Sequence, residues 1–266
     1  MMKLKLRTRP RSQASDDPHP IAVKVENVER SFRVGGQSVH ALTGVDMEVT
    51  AGRFVALMGR SGSGKTTLLN MIGGLDQPTS GEVYINGRPL SRLSENKRTE
   101  LRREEFGFVF QSFALLPILS AAENVELPLR IAGGMKGKDR RKRVSDALAL
   151  VGLTKWSDHR PYEMSGGQQQ RVAIARALVS KTRILIGDEP TGELDSKTGA
   201  TILQLLRRIV DEEGVTLVMA THDPSVQDTA DEVYRMQDGG VIEHVVREPD
   251  PDHLDAAADA GRQVVS

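Results

Sequence analysis

The run Gly59–Thr67, Gly-Arg-Ser-Gly-Ser-Gly-Lys-Thr-Thr, constrains this chain more than any other stretch. It satisfies the pattern G-x-x-x-x-G-K-[ST] at Gly59, Gly64, Lys65 and Thr66. The apolar run Arg53–Met58 before it reads as a buried strand. Thr66–Ile72 after it reads as a helix stopped by Gly73 and Gly74. A strand, a glycine-rich turn and a helix in that order aim backbone N–H groups and the positive end of a helix at an anion. The glycines spare the turn Cβ clashes as the backbone wraps inward. In that setting Lys65 is expected to reach the β- and γ-phosphates of a nucleotide, and the Thr66 hydroxyl to ligate Mg²⁺. Ser61, Gly62 and Thr67 fall within the same cradle.

The elements around this loop alternate. Ile21–Val28 and Val45–Val49 read as strands, with Ser31-Phe32 and a Gly35-Gly36 turn between them. Glu82–Ile85 followed by Asn86-Gly87 suggests a hairpin, because Asn-Gly suits a primed turn. Glu95–Arg103 reads as an exposed charged helix and Phe106–Phe110 as a short buried strand ending at Gln111. Ala121–Ile131 and Arg140–Val151, separated by a break at Gly133, Gly134 and Gly137, suggest a small helical insert. Arg140–Arg143 is most simply a solvated face of that insert, and Trp156 local packing. Gly166–Ser180 is a strong helix, and Ser196–Val210 carries a core-facing stripe of Ile202, Leu205, Leu206 and Ile209. Arg183–Ile186 and Val215–Ala220 read as buried strands, ending at Asp188-Glu189 and Thr221-His222.

Strands alternating with helices, with polar motifs at strand C-termini, imply an α/β fold: a P-loop NTPase core with a mostly parallel sheet. An antiparallel β subdomain and a small helical subdomain complete it. The expected division is a disordered basic tail over 1–20, a nucleotide-binding domain over 21–245 and an acidic tail over 246–266. Within the domain the core spans 21–110 and 163–245, and the helical subdomain about 111–162.

Composition closes off several classes. The chain has 266 residues and no Cys, which excludes disulfides and thiolate metal sites. Its formal net charge is zero, so charge gives no argument for a nucleic-acid partner. No stretch approaches the roughly 20 apolar residues that span a bilayer. Lys3, Lys5, Arg7, Arg9 and Arg11 precede no apolar core, which argues against a secretory signal. A solvated arm is the simpler reading of them, and contact with anionic lipid the alternative.

Asp188 ends an apolar strand, where a carboxylate can hold Mg²⁺; Glu189 beside it can orient or deprotonate an attacking water. Alone, such a pair is more often a helix cap or a turn, but a phosphate loop upstream reverses that reading. Ser165-Gly166-Gly167-Gln168 opens an Ala-rich helix, and a helix start lined by small residues makes a second anion site. A capped helix would look the same, since Ser is a good N-cap. A second phosphate site is redundant for one nucleotide in one subunit. It becomes sensible if it faces a nucleotide held by another copy.

Phosphate loop, Gln111, Met-Ser-Gly-Gly-Gln at 164–168, Asp-Glu at 188–189, Leu-Asp at 194–195 and His222 stand in the order of ABC-transporter ATPase subunits, which this chain resembles over about residues 21–244. The resemblance implies ATP and Mg²⁺ as ligands and a second copy as partner. It implies that Phe32 stacks on adenine and that Gln111 links Mg²⁺ and water to a transmembrane partner. It assigns Glu189 and His222 to catalysis, with His222 on the γ-phosphate. Ser165, Gly167 and Gln168 would meet the γ-phosphate held by the opposite subunit, and Asp195 would join the two sites. Met164, Gly187 and Glu193 depart from the usual residues, and none removes a catalytic group.

Phe108–Leu119, Glu123–Leu129, Gln168–Leu178 and Asp188–Gly192 look like the LolD/MacB-type branch. Its members drive a separate integral-membrane permease from the cytoplasmic face, by ATP-driven dimer closure. Export, lipoprotein extraction and mechanotransmission are all known there. The ATPase of a solute importer, or an FtsE-like regulator of cell-wall hydrolases, is the alternative. ABC proteins of DNA repair or the ribosome are a further class, but these carry twin modules, coiled-coil arms or zinc inserts. Phe113–Leu119 reads equally as a groove for a permease helix or as subdomain core.

Overall fold

A computed structural model describes residues 20–247; the expected basic and acidic tails lie, but for their innermost residues, outside that range. The chain opens with β1 (Ile21–Val34) and β2 (Gln37–Thr50), one long antiparallel hairpin closed at Gly35 and Gly36. The two short strands read from the sequence are parts of it, and Ser31 and Phe32 lie inside β1 rather than after it. The cause is a bulge. Val23, Val25 and Val28 are all buried, although a step of three should turn Val28 outward. The register slips between Val25 and Val28, and Asn27 absorbs the extra residue at φ 45°. Gly81 answers it from the next strand, where a Cβ would lie 2.2 Å from the Asn27 carbonyl oxygen.

β3 (Phe54–Met58) leads through the Gly59–Gly64 loop into α1 (Lys65–Ile72). β4 (Ser80–Ile85) and β5 (Arg88–Pro89) form the expected hairpin, with Asn86 and Gly87 both at positive φ. Then come α2 (Glu95–Glu105), β6 (Phe106–Phe110), α3 (Ala121–Ala132) and α4 (Gly137–Leu150). The chain continues through α5 (Gly166–Leu178), β7 (Ile184–Asp188), α6 (Ser196–Glu213) and β8 (Thr216–Thr221). It ends on β9 (Glu232–Gln237) and β10 (Gly240–Val246), strands that the sequence reading did not mark.

These strands make two sheets, β2-β1-β4-β5 and β10-β9-β3-β8-β7-β6. The first is antiparallel; in the second only the β9–β10 pair is. β3 sits at its centre and feeds two cores. Phe54, Ala56 and Met58 join the core under α3–α6, while Val55 and Leu57 join the one shared by α1 and the antiparallel sheet. Burial on both faces is why β3 reads as an unbroken apolar run.

Two details of the helical insert differ from expectation. Gly137 begins α4 instead of belonging to the break. Arg140 is not part of a free solvated face: with Arg130 it pairs with Glu126, whose carboxyl is held below its usual range by those two guanidiniums against the opposing effect of burial. Trp156 packs against His159 with the rings tilted at 52° and centroids 4.6 Å apart.

Gly107 in β6 lets α5 approach the sheet: a Cβ there would lie 2.4 Å from the Ala177 carbonyl oxygen. Backbone cannot yield as a side chain can. Gly107→Ala is expected to destabilise the fold by about 1–3 kcal/mol, seen as a lower urea midpoint at unchanged slope.

Candidate active site

The parallel register gathers the polar motifs at one edge. Met58 lies opposite Thr221, and Asp188 lies between Phe110 and Ala220. The residues that follow, Gly59, His222, Glu189 and Gln111, therefore leave the sheet side by side at its carboxyl edge, where open α/β sheets bind ligands.

The phosphate loop is set by backbone that only glycine tolerates well. Gly62 and Gly64 have φ of 81° and 99°, and a Cβ on Gly64 would meet the Ala41 carbonyl at 2.6 Å. Lys65 is almost wholly buried, and its ammonium donates to the carbonyls of Gly59 (2.8 Å) and Arg60 (3.0 Å). Ser61, Gly62 and Thr66 are exposed on the loop and helix start, and Thr67 is half-buried. Thr66 Oγ1 donates to Asp188 Oδ1 at 3.0 Å. Burial and the neighbouring Glu189 charge push the Asp188 carboxyl above its ordinary value, against the pull of that hydroxyl and of Lys65.

Glu189 and His222 meet directly: His222 Nδ1 is 3.0 Å from both carboxylate oxygens. The Glu189 side chain is mostly covered at 18% exposure, while that of His222 is open at 69%. Glu189 itself has φ 48°, and its N–H donates to the Ala220 carbonyl at 2.9 Å. Gln111 is exposed at the end of β6, with its amide against the Gly192 backbone.

Ser165, Gly167 and Gln168 lie elsewhere. Ser165 caps α5: its Oγ accepts from Gln168 N–H at 3.3 Å, and Gln168 Oε1 accepts from Ser165 N–H at 2.9 Å. This turn opens on a cleft of ≈ 510 Å³ shared with Arg171, Lys197 and Thr198; among the described residues, none of the phosphate loop lines it. Asp195 caps α6 by accepting from the N–H groups of Lys197 and Thr198; the Thr198 side chain first, and then these backbone bonds, hold its carboxyl below its ordinary value. Phe32 is part-exposed on β1, opposite Val39 in the strand that runs on to Ala41 beside Gly64. The Arg30 guanidinium covers one face of its ring at 4.5 Å.

Neither Gln170 nor Arg176 stands out in the sequence, yet both reach these loops from α5. Arg176 donates to the carbonyls of Phe113 and Ala114, two successive residues at positive φ just after Gln111. Gln170 donates to the carbonyl of Pro190. Six residues apart, they stand about 120° apart around α5, so no single helical stripe marks them in the sequence.

Comparison with known proteins identifies the family and the fold. A sequence profile described as ABC transporter matches residues 42–192. The chain is 47% identical, over 222 residues, to the uncharacterized ABC transporter ATP-binding protein MJ0796 of Methanocaldococcus jannaschii, covering 82% of this chain and 94% of that protein. The chain belongs to the ABC transporter family. A dimeric structure of MJ0796, a bacterial ABC transporter cassette, superposes with a TM-score of 0.78 at 44% identity, over 86% of this chain and all of that one. This ABC protein is also 47% identical to the macrolide export ATP-binding/permease protein MacB of Syntrophobacter fumaroxidans, covering 83% of this chain but only 31% of that protein. It is an ATP-binding ATPase subunit of the LolD/MacB type, with the P-loop NTPase fold expected from its sequence.

Proposed function

We propose that two copies of this ABC protein close head to tail over two MgATP, and that closure and reopening drive an integral-membrane permease on a separate chain. Each nucleotide would lie between Gly59–Thr67 of one copy and Ser165–Gln168 of the other. The observation that carries this reading is that the Ser165 turn opens on a cleft containing no residue of its own phosphate loop. A post-hydrolysis cassette of MJ0796 bound to ADP and Pi is dimeric, which supports it.

Phe32 would stack on adenine with the ring face that Arg30 leaves free. Lys65 would turn from the loop carbonyls to the β- and γ-phosphates. Mg²⁺ fits Thr66 and Asp188, whose hydroxyl and carboxyl are hard oxygen donors 3.0 Å apart. Among the described residues no group of three His, Cys, Asp or Glu could hold a metal, so phosphate and water oxygens would complete the shell. Bound there, the ion would neutralise phosphate charge. Gln111 would add its side-chain oxygen to that shell and link it to the permease. Glu189 takes the proton of the attacking water. His222, bonded to the Glu189 carboxylate, holds it in place and reaches the γ-phosphate.

No described helix is long and apolar enough to cross a membrane. Leu116 and Ile118, just beyond Gln111, stand 46% and 77% exposed, and supply an apolar surface for a permease segment at the cytoplasmic face. Co-purification of a four-helix permease fits the MacB-type reading; a many-helix permease would favour an importer.

Ser165→Arg tests the shared site. ATP affinity of the isolated chain is expected to stay within about twofold, while turnover falls about 10²–10³-fold with loss of the partner's phosphate donors. MgATP should no longer shift sedimentation to a dimer. Turnover that survives, or ATP affinity that falls in parallel, would place Ser165 outside a shared site.

A further inference from the structure

The helix that starts at the Ser165 turn also reaches the catalytic edge. Gln170, in its second turn, is fully buried. Its Nε2 donates to the carbonyl of Pro190, the residue after Glu189, and its Oε1 has no partner. Buried side-chain amides normally satisfy both ends. A half-satisfied glutamine in an otherwise apolar core position calls for a reason beyond packing.

The backbone it holds is disfavoured twice. Glu189 has φ 48°, a region that few non-glycine residues occupy. It also precedes Pro190, whose ring pushes the preceding residue towards extended backbone. Such a conformation persists only where the surroundings impose it. Two backbone bonds of 2.9 Å, Glu189 N–H to Ala220 and Gly192 N–H to Glu189, pin the ends of the turn. The Gln170 amide pins its middle, at a proline that is itself buried. Released, the turn would relax towards extended backbone and swing the Glu189 carboxylate away from His222.

We infer that Gln170 is a positioning residue for Glu189, clamping the Glu189-Pro190 kink so that the carboxylate faces the phosphate loop. The inference rests on reading Glu189 as the base. Because Gln170 rides on α5, the aim of a chain's own base and the presentation of its Ser165 turn to the partner's nucleotide are set by one rigid helix.

Gln170→Met keeps the volume and removes both the donor and the orphan oxygen; Gln170→Leu does the same with a different shape, should Met not fold. The variant leaves the Pro190 carbonyl without its donor, which offsets the gain from losing the orphan oxygen, so the unfolding midpoint is expected to change little; KM for ATP should stay within about twofold, while kcat drops about 10–100-fold, as misplacement of a catalytic group does. In a Glu189→Gln background, followed by single-turnover hydrolysis, Gln170→Met should slow the residual rate no further, because what it positions is gone. Wild-type kcat in a folded variant, a loss carried by KM, or equal slowing in the Glu189→Gln background would each overturn the clamp. Wild-type turnover in Glu189→Gln alone is a separate result, and strikes the base assignment.

Discussion

Glu189→Gln is expected to stop ATP turnover while leaving ATP bound. The two side chains have the same shape, so the packing that leaves the Glu189 side chain 18% exposed is kept, and the amide can still bond His222, now 3.0 Å from each carboxylate oxygen. Only the basicity is lost. A positioned general base contributes about 10²–10⁴-fold to rate, so kcat should fall by about a thousandfold or more. Affinity moves the other way, if at all. Removing a negative charge beside the phosphates relieves repulsion, so ATP should bind as tightly as before or tighter. Nucleotide that binds and is not cleaved then holds the dimer closed. Phosphate release checks the first claim, and sedimentation with MgATP, where the variant should run as a persistent dimer, checks the second. Hydrolysis at the normal rate would remove Glu189 from the role of base.

The contrast between β3 and β9 shows what the sequence could disclose. β3, β7 and β8 are covered on both faces, so each is an apolar run that needs no partner to be recognised. β9 pairs in parallel with β3 from the far end of the chain, and its Glu232 and Arg235 interrupt the pattern. Its place depends on a contact distant in sequence, which local periodicity cannot carry. The β1–β2 hairpin runs further than its local pattern shows for another reason: the bulge at Asn27 breaks the period of two on which strand reading depends. Among candidate site residues, the phosphate loop, Asp188-Glu189 and the Ser165 turn were visible because their residue types are tied to a strand or helix end. The left-handed backbone of Glu189, and the Gln170 and Arg176 contacts that reach the loops from α5, depend on packing and left no motif. Asp195 illustrates a different limit: it was assigned across the dimer by resemblance, and within one copy its carboxylate is the N-cap of α6.

Lys65→Ala should abolish binding itself, an effect as large as the loss of turnover but at an earlier step. Lys65 is 7% exposed and its ammonium donates to the Gly59 and Arg60 carbonyls; among the described residues it has no carboxylate within ion-pair distance. A nearly buried cation held only by carbonyls is poised for an anion, and the phosphates of ATP would bring several charges to it at once. Truncating one partner of such a desolvated charge pair costs about 3–5 kcal/mol, which is about two to four decades in Kd. Folding should change far less, because the phosphate loop is shaped mainly by Gly62, Gly64 and the Gly59 packing, and the freed carbonyls can take water. Calorimetric titration with MgATP and thermal unfolding without nucleotide separate the two effects. Lys65→Met, which keeps the stem and discards the charge, should match Lys65→Ala in affinity. If it instead bound like the wild type, the ammonium would be a structural peg of the loop, and the phosphates would owe their hold to the backbone N–H groups and the start of α1 alone.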